Sequence, residues 1–285
     1  MLPDQFLKHL QSHAESFASA VATNEGDWII KGFIDVYQRV YTISVDTKIV
    51  SKVLELLLFP MFVEFGRKHG FNIELSPQQN FYPDITFVDK STSDKFAVDV
   101  KSTYRIDSAS VNGMTLGAFT GYFRNRKSSK NTLYPYGEYR GHFVLGVIYT
   151  KSEDAVDERK QYTLQDLGKI SSVIRDFQFF AQPKFRIASA RPGSGNTKNI
   201  GSVTQINHLL AGAGPFAQLG EEVYDDYWMY YLTKDMAKAL DIERPYINLK
   251  TYLAYKKRGM EALRKYENEI ASLGDDDTGG DEDPQ

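Results

Sequence analysis

The sequence predicts an α/β protein whose central mixed β-sheet is flanked by helices. Three segments support this fold class: a long amphipathic helix over residues 45–68, a β-hairpin over 82–101, and a continuously apolar strand over 142–149. The 285 residues are 42% hydrophobic and 25% charged, which is typical of a folded globular protein. We therefore expect a single domain over residues 1–270, followed by an acidic tail at 274–285.

The chain begins with a helix and two short strands. Residues 5–21 show the apolar periodicity of a helix. His9 and His13 lie one turn apart and suit a shared metal ion, but no third ligand is nearby in the sequence, so a solvated polar face is the favoured interpretation. β-Branched and aromatic residues then predict strands at 28–37 and 40–44, within a unit at about 22–44 that is suited to pairing with a second subunit.

A long helix follows over residues 45–68, with Asp46 near its start. Its apolar residues form a wide buried stripe. A shorter polar stripe contains Lys48, Lys52 and Glu55 at spacings of i, i+4 and i+7. Glu55 has two interpretations, an exposed partner of Lys52 or an acid directed at an active site, and the residue type alone favours the first.

The hairpin carries the strongest chemical signal in the chain. Alternation along the strand 96–101 places Asp99 and Lys101 on one face, and a charged turn at 89–95 brings Asp84 close to Asp99. Two carboxylates and a lysine at one end of a sheet suit a hard divalent cation. Because such a lysine can hold or activate a water that attacks phosphorus, the pattern predicts a metal-dependent phosphodiesterase.

The second half of the chain adds one basic segment and several regular elements. Residues 123–130 are basic, and a solvated loop and a phosphate-contacting loop fit this composition equally well. Periodicity predicts a central strand at 142–149, a helix at 164–172, strands at 177–181 and 185–188, and C-terminal helices over 221–240 and 248–273.

The segment 191–202 is rich in glycine, serine, asparagine and threonine. A P-loop is a poor explanation, because no Gly-Lys-Ser/Thr follows at the required offset. A surface loop and a DNA-recognition loop at about 190–202 fit the composition equally well. In a recognition loop the glycines would let the backbone approach bases, while asparagine and threonine would bond base edges.

The formal charge of −3 hides an uneven distribution. Six acids lie in residues 275–285, and the rest of the chain carries +3. A mildly basic body can bind DNA where its cations cluster, and the acidic tail is expected to be disordered. The chain has no cysteine, no apolar run long enough to span a bilayer and no signal-peptide pattern, which together fit a cytoplasmic protein without membrane association.

Pro83-Asp84 followed by Asp99-Val100-Lys101 resembles the signature of the PD-(D/E)xK nuclease superfamily. Flanking motifs make the resemblance specific to EcoRV-like restriction endonucleases. In order and at similar spacing, these are Asp46-Thr47-Lys48, Gln78-Gln79-Asn80 and Gly193-Ser194-Gly195-Asn196-Thr197. The resemblance covers roughly residues 44–255 and implies a restriction-endonuclease-like core with a small N-terminal dimerisation subdomain.

What the resemblance implies is a homodimeric type II restriction endonuclease. It would use Mg²⁺ to hydrolyse a palindromic site in double-stranded DNA, GATATC or a related hexamer, leaving blunt ends, and would function alongside a cognate DNA methyltransferase. The implied catalytic residues are Asp84, Asp99 and Lys101, and the implied metal ligands are Asp84, Asp99 and Glu55. The implied DNA contacts are Gln79, Asn80, Gly193, Ser194, Gly195, Asn196, Thr197, Lys198, Thr47, Lys48, Thr103 and Lys130.

Two departures from the family pattern leave the recognition sequence open. Lys198 stands where the family has a second threonine, and Phe81 stands in place of a histidine. Two other functions are compatible with the same core: a repair or structure-specific endonuclease, and a DNA-binding protein that no longer cleaves. The recognition loop argues against the first, and the intact Asp84, Asp99 and Lys101 argue against the second.

Overall fold

A five-stranded mixed sheet forms the centre of the computed structural model, which describes residues 1–78, 81–153, 157, 159–193, 198–257 and 266–273. The strands are β1 (Gly32–Ile34), β2 (Arg39–Thr42), β3 (Phe71–Glu74), β4 (Ile85–Asp89), β5 (Lys95–Tyr104), β6 (Thr115–Ala118), β7 (Tyr139–Lys151), β8 (Gln161–Thr163), β9 (Ile174–Pro183), β10 (Ala188–Pro192) and β11 (Asn199–Ser202). The α-helices are α1 (Pro3–Ser12), α2 (Ala14–Val21), α3 (Thr47–His69), α4 (Lys184–Ile187), α5 (Ile206–Ala211), α6 (Glu221–Met229), α7 (Lys234–Ala239), α8 (Leu249–Lys257) and α9 (Glu267–Ser272).

The central sheet has the strand order β3-β4-β5-β7-β9. β5 and β7 run parallel, and the other neighbours are antiparallel. The predicted hairpin is the β4–β5 pair, and the predicted central strand is β7, which is bonded on both sides and almost entirely buried. The sheet is therefore mixed, as the sequence predicts.

Each face of the sheet covers its own hydrophobic core. Phe96, Val98 and Val100 of β5 pack in a cluster with the apolar faces of α1, α2 and α3. Ala97, on the opposite face, belongs to a second cluster that includes Trp228 and the aromatic residues of the C-terminal helices. The alternation predicted for β5 is confirmed, and the same alternation turns Asp99 and Lys101 away from the first core.

Helix α3 lies against the sheet and begins beside the hairpin. The Asp46 carboxylate caps it by accepting hydrogen bonds from the backbone N–H groups of Lys48 and Ile49, at 2.8 and 3.1 Å. Gly70 ends it with φ of +78°, a conformation that glycine adopts without steric cost. The helix continues as one element through Pro60, so the bend or restart that a proline can cause does not divide it.

Two three-stranded sheets extend from this core. One has the order β1-β2-β8, so the predicted unit at 22–44 takes its third strand from residues far along the chain. The other has the order β10-β11-β6 and supports the segment between β10 and β11. The predicted dimerisation segment therefore belongs to the β1-β2-β8 sheet, and the predicted recognition segment is joined to the β10-β11-β6 sheet.

Several predicted boundaries are wrong. The predicted strand at 185–188 is mostly the single helical turn α4, because β9 runs to Pro183 and the chain then turns inward. The helix predicted at 5–21 is divided at His13, and the helix at 164–172 is a 3₁₀ helix over Leu164–Lys169. The helix predicted at 221–240 is two helices, α6 and α7.

The C-terminal helix predicted at 248–273 is represented by α8 and α9, with 258–265 outside the described residues. The predicted acidic tail at 274–285 also lies outside them. In the part of the chain that the structure describes, no helix combines the length and apolar character needed to cross a membrane.

Candidate active site

The hairpin places the carboxylates of Asp84 and Asp99 side by side. Ile85 pairs with Val98, so Asp84 meets the next residue of β5. The backbone N–H of Asp84 points to Asp99 Oδ1 at 3.3 Å, and the N–H of Val100 donates to Asp84 Oδ2 at 2.8 Å. Each acid is thus fixed by the other strand's backbone, and the pair is positioned by the sheet itself.

The Lys101 ammonium lies between the two acids. Its Nζ is 3.8 Å from Asp84 Oδ2 and 3.7 Å from Asp99 Oδ2. Burial alone would lower the pKa of Lys101, but the charges of Asp99 and Asp84 outweigh that effect and raise it. In this arrangement the side chain is a charged ammonium that reaches the surface, with 26% of it exposed.

The acids carry more negative charge than Lys101 offsets. Burial raises the pKa of Asp84 to about 6, with Asp99 and Glu55 adding to the shift and Lys101 opposing it. A divalent cation would offset this excess, and carboxylate oxygens are the ligands that Mg²⁺ prefers. Among the described residues no group of three or more acidic or histidine side chains is arranged to hold a metal ion, so the donor set is the carboxylate pair.

Glu55 combines both interpretations drawn from the sequence. Its carboxylate accepts a hydrogen bond of 2.7 Å from Lys52 Nζ. It also lines the same cleft as Asp84 and contributes to the raised pKa of that acid. The structure therefore places Glu55 near the acid pair but in an ion pair of its own, and its role as a third metal ligand stays a prediction.

A cleft of about 780 Å³ opens in front of Asp84. The start of α3 forms one wall, and the approach to β4 forms the other. Polar residues of its lining include Thr47, Lys48, Ser51, Lys52, Glu55 and Gln78, and apolar residues include Leu56, Phe59, Leu75 and Phe81. Thr47 and Lys48, predicted to contact DNA, thus share a cavity with the acid, so the cleft offers cations and hydrogen-bond donors beside it.

A hydrogen bond ties this helical wall to β5. Ser51 Oγ of α3 and Ser102 Oγ of β5 are 2.7 Å apart. The turn ahead of β4 is held by the Phe81 N–H, which donates to the carbonyl of Gln78 at 3.2 Å. Gln79 and Asn80, between these two residues, lie outside the described residues, so their predicted DNA contacts stay predictions.

Ser194, Gly195, Asn196 and Thr197 also lie outside the described residues, but both ends of the loop are described. Gly193 N–H donates to the carbonyl of Asn199 at 2.9 Å, and the carbonyl of Lys198 accepts from Phe119 N–H at 2.9 Å. A Cβ on Gly201 would lie only 2.9 Å from the Cα of Gly193. The two described ends of the loop are therefore held close together, and the second end is bonded to β6 and the residue that follows it.

The remaining predicted DNA contacts differ in their surroundings. Thr103 is buried, and its hydroxyl donates to the carbonyl of Asn112 at 2.6 Å, which holds the loop after β5. Lys130 is exposed. In the same basic segment, Arg124 is buried and donates to the carbonyls of Ile270 and Tyr231, and Arg126 pairs with Asp225. Half of that segment is therefore structural rather than available to phosphate.

Sequence reasoning missed a buried polar group behind the acids. Tyr82 Oη and His142 Nδ1 share a hydrogen bond of 2.7 Å. Burial lowers the pKa of His142 well below its usual range, so the ring is neutral. Lys184 and Tyr122 complete the group. The motif containing Tyr82 was visible in the sequence, whereas nothing local to Lys184 indicates that it points inward.

Comparison with known proteins agrees with this geometry. Residues 24–257 match the sequence model of the family described as "Restriction endonuclease EcoRV". The chain is also 34% identical, over 202 residues, to the type II restriction enzyme EcoRV of Escherichia coli, an alignment that covers 70% of this chain and 81% of that protein. The family match contains every candidate site residue considered above.

Proposed function

The chain belongs to the restriction endonuclease EcoRV family and is a type II restriction endonuclease that hydrolyses DNA; from this premise we propose that it cuts a palindromic duplex site in a Mg²⁺-dependent reaction. The observation that carries the proposal is the group formed by Asp84, Asp99 and Lys101 beside a cleft whose lining includes Lys48 and Lys52. Two carboxylates with an adjacent ammonium suit hydrolysis of a phosphodiester.

Asp84 and Asp99 are the residues whose carboxylates would hold Mg²⁺, and Glu55 is the proposed third ligand. When bound, the cation would supply Lewis-acid chemistry, polarising the scissile phosphate and lowering the pKa of a water. Magnesium characteristically binds through one or two carboxylates together with substrate phosphate oxygens, and the acid pair fits this requirement.

Backbone N–H groups of the chain orient the two acids, and its lysine side chains supply positive charge. The backbone N–H of Val100 fixes Asp84, and the N–H of Asp84 fixes Asp99. Lys101, kept charged by those acids, would stabilise negative charge on a phosphoryl oxygen or hold the attacking water. Lys48 and Lys52 line the cleft and place further positive charge where the DNA backbone would lie.

Sequence recognition is assigned to two loops. Residues 193–198 would reach base edges in the major groove, and Gln79 and Asn80 would approach the minor groove. The proposed site is GATATC or a related hexamer cut to blunt ends, since the pyrimidine–purine step TA at its centre bends at low energetic cost. Lys198 would add a phosphate or base contact at the edge of the loop and so bears on the exact sequence.

A homodimer is the proposed working form. The β1–β2 hairpin exposes Phe33, Ile34, Val36 and Tyr37 by 52%, 58%, 90% and 73%. A contiguous apolar surface of this kind is typical of an interface between subunits. Two copies related by a twofold axis would present two active sites to the two strands of a palindrome. The proposed setting is the cytoplasm, where a cognate methyltransferase would protect host DNA.

Digestion of a mapped plasmid in Mg²⁺, followed by sequencing of the ends, tests the proposal. We expect discrete blunt fragments that share one palindromic hexamer. Structure-dependent nicking would support a repair-type endonuclease instead, and binding without cutting would support a DNA-binding protein that has lost catalysis. Digests without added metal, and with Ca²⁺ in place of Mg²⁺, serve as controls for the cofactor.

Asp84→Ala and Lys101→Ala test the site itself. Each variant should lose cleavage in Mg²⁺ while its circular dichroism spectrum and thermal midpoint stay close to those of the parent protein, because both side chains are partly exposed, Lys101 by 26% and Asp84 by 29%. Cutting by Asp84→Ala at the parent rate would contradict the assignment of the acid pair. Lys90→Ala, in the turn at the far end of β4, is the matched surface control.

A further inference from the structure

Lys184 is a cation held inside the protein. Only 2% of the residue is exposed. Its Nζ lies 4.4 Å from the centroid of the Tyr82 ring and 5.7 Å from that of Tyr136. Within the described part of the chain it forms no ion pair and no hydrogen bond through its ammonium. The ammonium is therefore stabilised by the faces of the two aromatic rings and, at longer range, by charged groups that it does not touch.

Such a group is costly to retain. Burying an ammonium without a carboxylate partner opposes folding. Burial lowers the pKa of Lys184 to about 8, and Asp99 is the charge that most opposes this shift. The side chain thus remains charged at neutral pH. The sheet register brings its segment toward the proposed active site: Asp99 of β5 lies opposite Val144 of β7, and Val144 lies opposite Gln182 of β9, two residues before Lys184.

The surrounding fold is arranged around this side chain. α4 follows directly on Pro183 and turns Lys184 inward. Gly117 has φ of +94°, and a Cβ there would lie 3.0 Å from Tyr122 Oη and 3.5 Å from Lys184 Nζ. Tyr122 stacks on Tyr82 with ring centroids 5.0 Å apart. A glycine, two stacked tyrosines and a helical turn together form the compartment that holds the ammonium.

We propose that Lys184 is a positioning residue of the active site, whose positive charge offsets the repulsion between Asp84 and Asp99 from the buried side. Lys101 does so from the more exposed side, 3.7 Å from Asp99. Asp99 is itself only 4% exposed, so it needs positive charge within the protein. The inference rests on the proposed role of the acid pair and adds a second cation that never meets the DNA.

Lys184→Met tests the inference, because methionine is of similar length and carries no charge. We expect kcat to fall roughly tenfold, because two strand spacings, about 10 Å, separate the Lys184 segment from Asp99, and a unit charge at that range in protein shifts an equilibrium about tenfold. KM for DNA should be unchanged, because Lys184 does not reach the surface. The thermal midpoint should be unchanged or higher, because an apolar side chain replaces an unpartnered charge.

This combination separates positioning from a merely structural role. If Lys184 only supported the fold, its loss would lower the thermal midpoint and reduce kcat only through unfolding. Parent-like kcat in Lys184→Met, or a loss of kcat that follows a lower midpoint, would overturn the inference. Lys184→Gln provides the same readout if the methionine variant does not fold, and Lys90→Met is the exposed control.

Asp84→Ala, assayed beside these variants, separates the two proposals. If Asp84→Ala is inactive and Lys184→Met cuts like the parent, the acid pair stands and the inference about Lys184 fails. If Asp84→Ala cuts like the parent, the proposed active site itself is wrong. All assays use the full-length chain with linear duplex substrate in Mg²⁺, so kcat and KM are compared under one condition.

Discussion

At the scale of single residues, Arg124 and Lys130 show that two cations of one basic segment can differ in burial and therefore in role. Arg124 is 5% exposed and donates to two backbone carbonyls, one of them on Ile270. Lys130, six residues later, is exposed. The sequence places both in one basic segment, and only the distant partner distinguishes them. A guanidinium that bonds carbonyls across 146 residues of chain stabilises the fold and is not free to bind phosphate.

His69 provides a pH prediction at the same scale. Its ring lies 4.2 Å from that of His9 and 5.1 Å from that of His13, measured between centroids. Burial lowers the pKa of His69 to about 4, and the charges of His9, His13 and Lys68 add to the shift. The folded state therefore binds this proton less readily than the unfolded state, whose histidine pKa is about 6.5.

The contribution of His69 to stability is thus fully present above about pH 6.5 and is lost as the pH falls toward 4. In urea unfolding at several pH values, His69→Phe should show a shallower loss of unfolding free energy between pH 6.5 and 4.5 than the parent protein. Equal slopes for the two proteins would contradict the prediction. The sequence spacing placed His9 and His13 near each other but gave no sign that His69 joins them, because His69 reaches them only through the packing of α3.

At the scale of elements, the local pattern predicts the hairpin and fails at α4. Alternation and a charged turn specify β4 and β5 from adjacent residues, so Asp84 and Asp99 could be placed together from the sequence. Residues 185–188 carry strand-forming side chains, yet Phe185 and Ile187 lie in a helical turn. Tertiary packing overrides propensity there, which is why Lys184 could not be recognised from sequence.

The glycine in the central strand gives a prediction for an element. Gly146 of β7 pairs with Lys101 on one side and Phe180 on the other. A Cβ at this position would lie 2.0 Å from a carbon of the Phe180 ring. Gly146→Ala should lower the free energy of unfolding by about 1–3 kcal/mol, because a well-packed core must shift to accept the methyl group.

Denaturant unfolding of three variants measures this effect. Gly168→Ala is the matched control, because a Cβ there meets no atom within 4 Å and the backbone is not in the left-handed region. Gly146→Ala combined with Phe180→Leu should recover part of the loss, since leucine is smaller than the ring it replaces. A Gly146→Ala protein as stable as Gly168→Ala would show that the ring moves aside without cost.

At the scale of the whole molecule, the hairpin unit is less independent than the sequence suggests. β8 joins β1 and β2 as a third strand, and Trp28 N–H bonds the carbonyl of Ile174 at the start of β9. The side chain of Lys31 donates to Ser172 Oγ at 2.7 Å. The exposed apolar residues of the hairpin are therefore anchored to the rest of the fold by strand pairing and hydrogen bonds.

Val36→Lys tests the proposed dimer. Val36 is 90% exposed at the hairpin, so the substitution should leave the monomer folded while weakening self-association roughly tenfold or more, because an interface disfavours an unpaired charge. Sedimentation should show a larger monomer fraction, and cleavage should fall more steeply on dilution than for the parent. Val63→Lys, exposed on α3, is the control; a parent protein that sediments as a monomer would contradict the proposal.

The separation of the two sheets described above bears on how such enzymes change specificity. The proposed recognition loop stands on β10, β11 and β6, whereas the acid pair stands on the five-stranded sheet. Substitutions in the loop can therefore accumulate during evolution without rebuilding the hydrolytic machinery. Gly117 on β6 and Lys184 just ahead of β10 mark where the two modules touch, and exchange of the loop by design should leave those two positions unaltered.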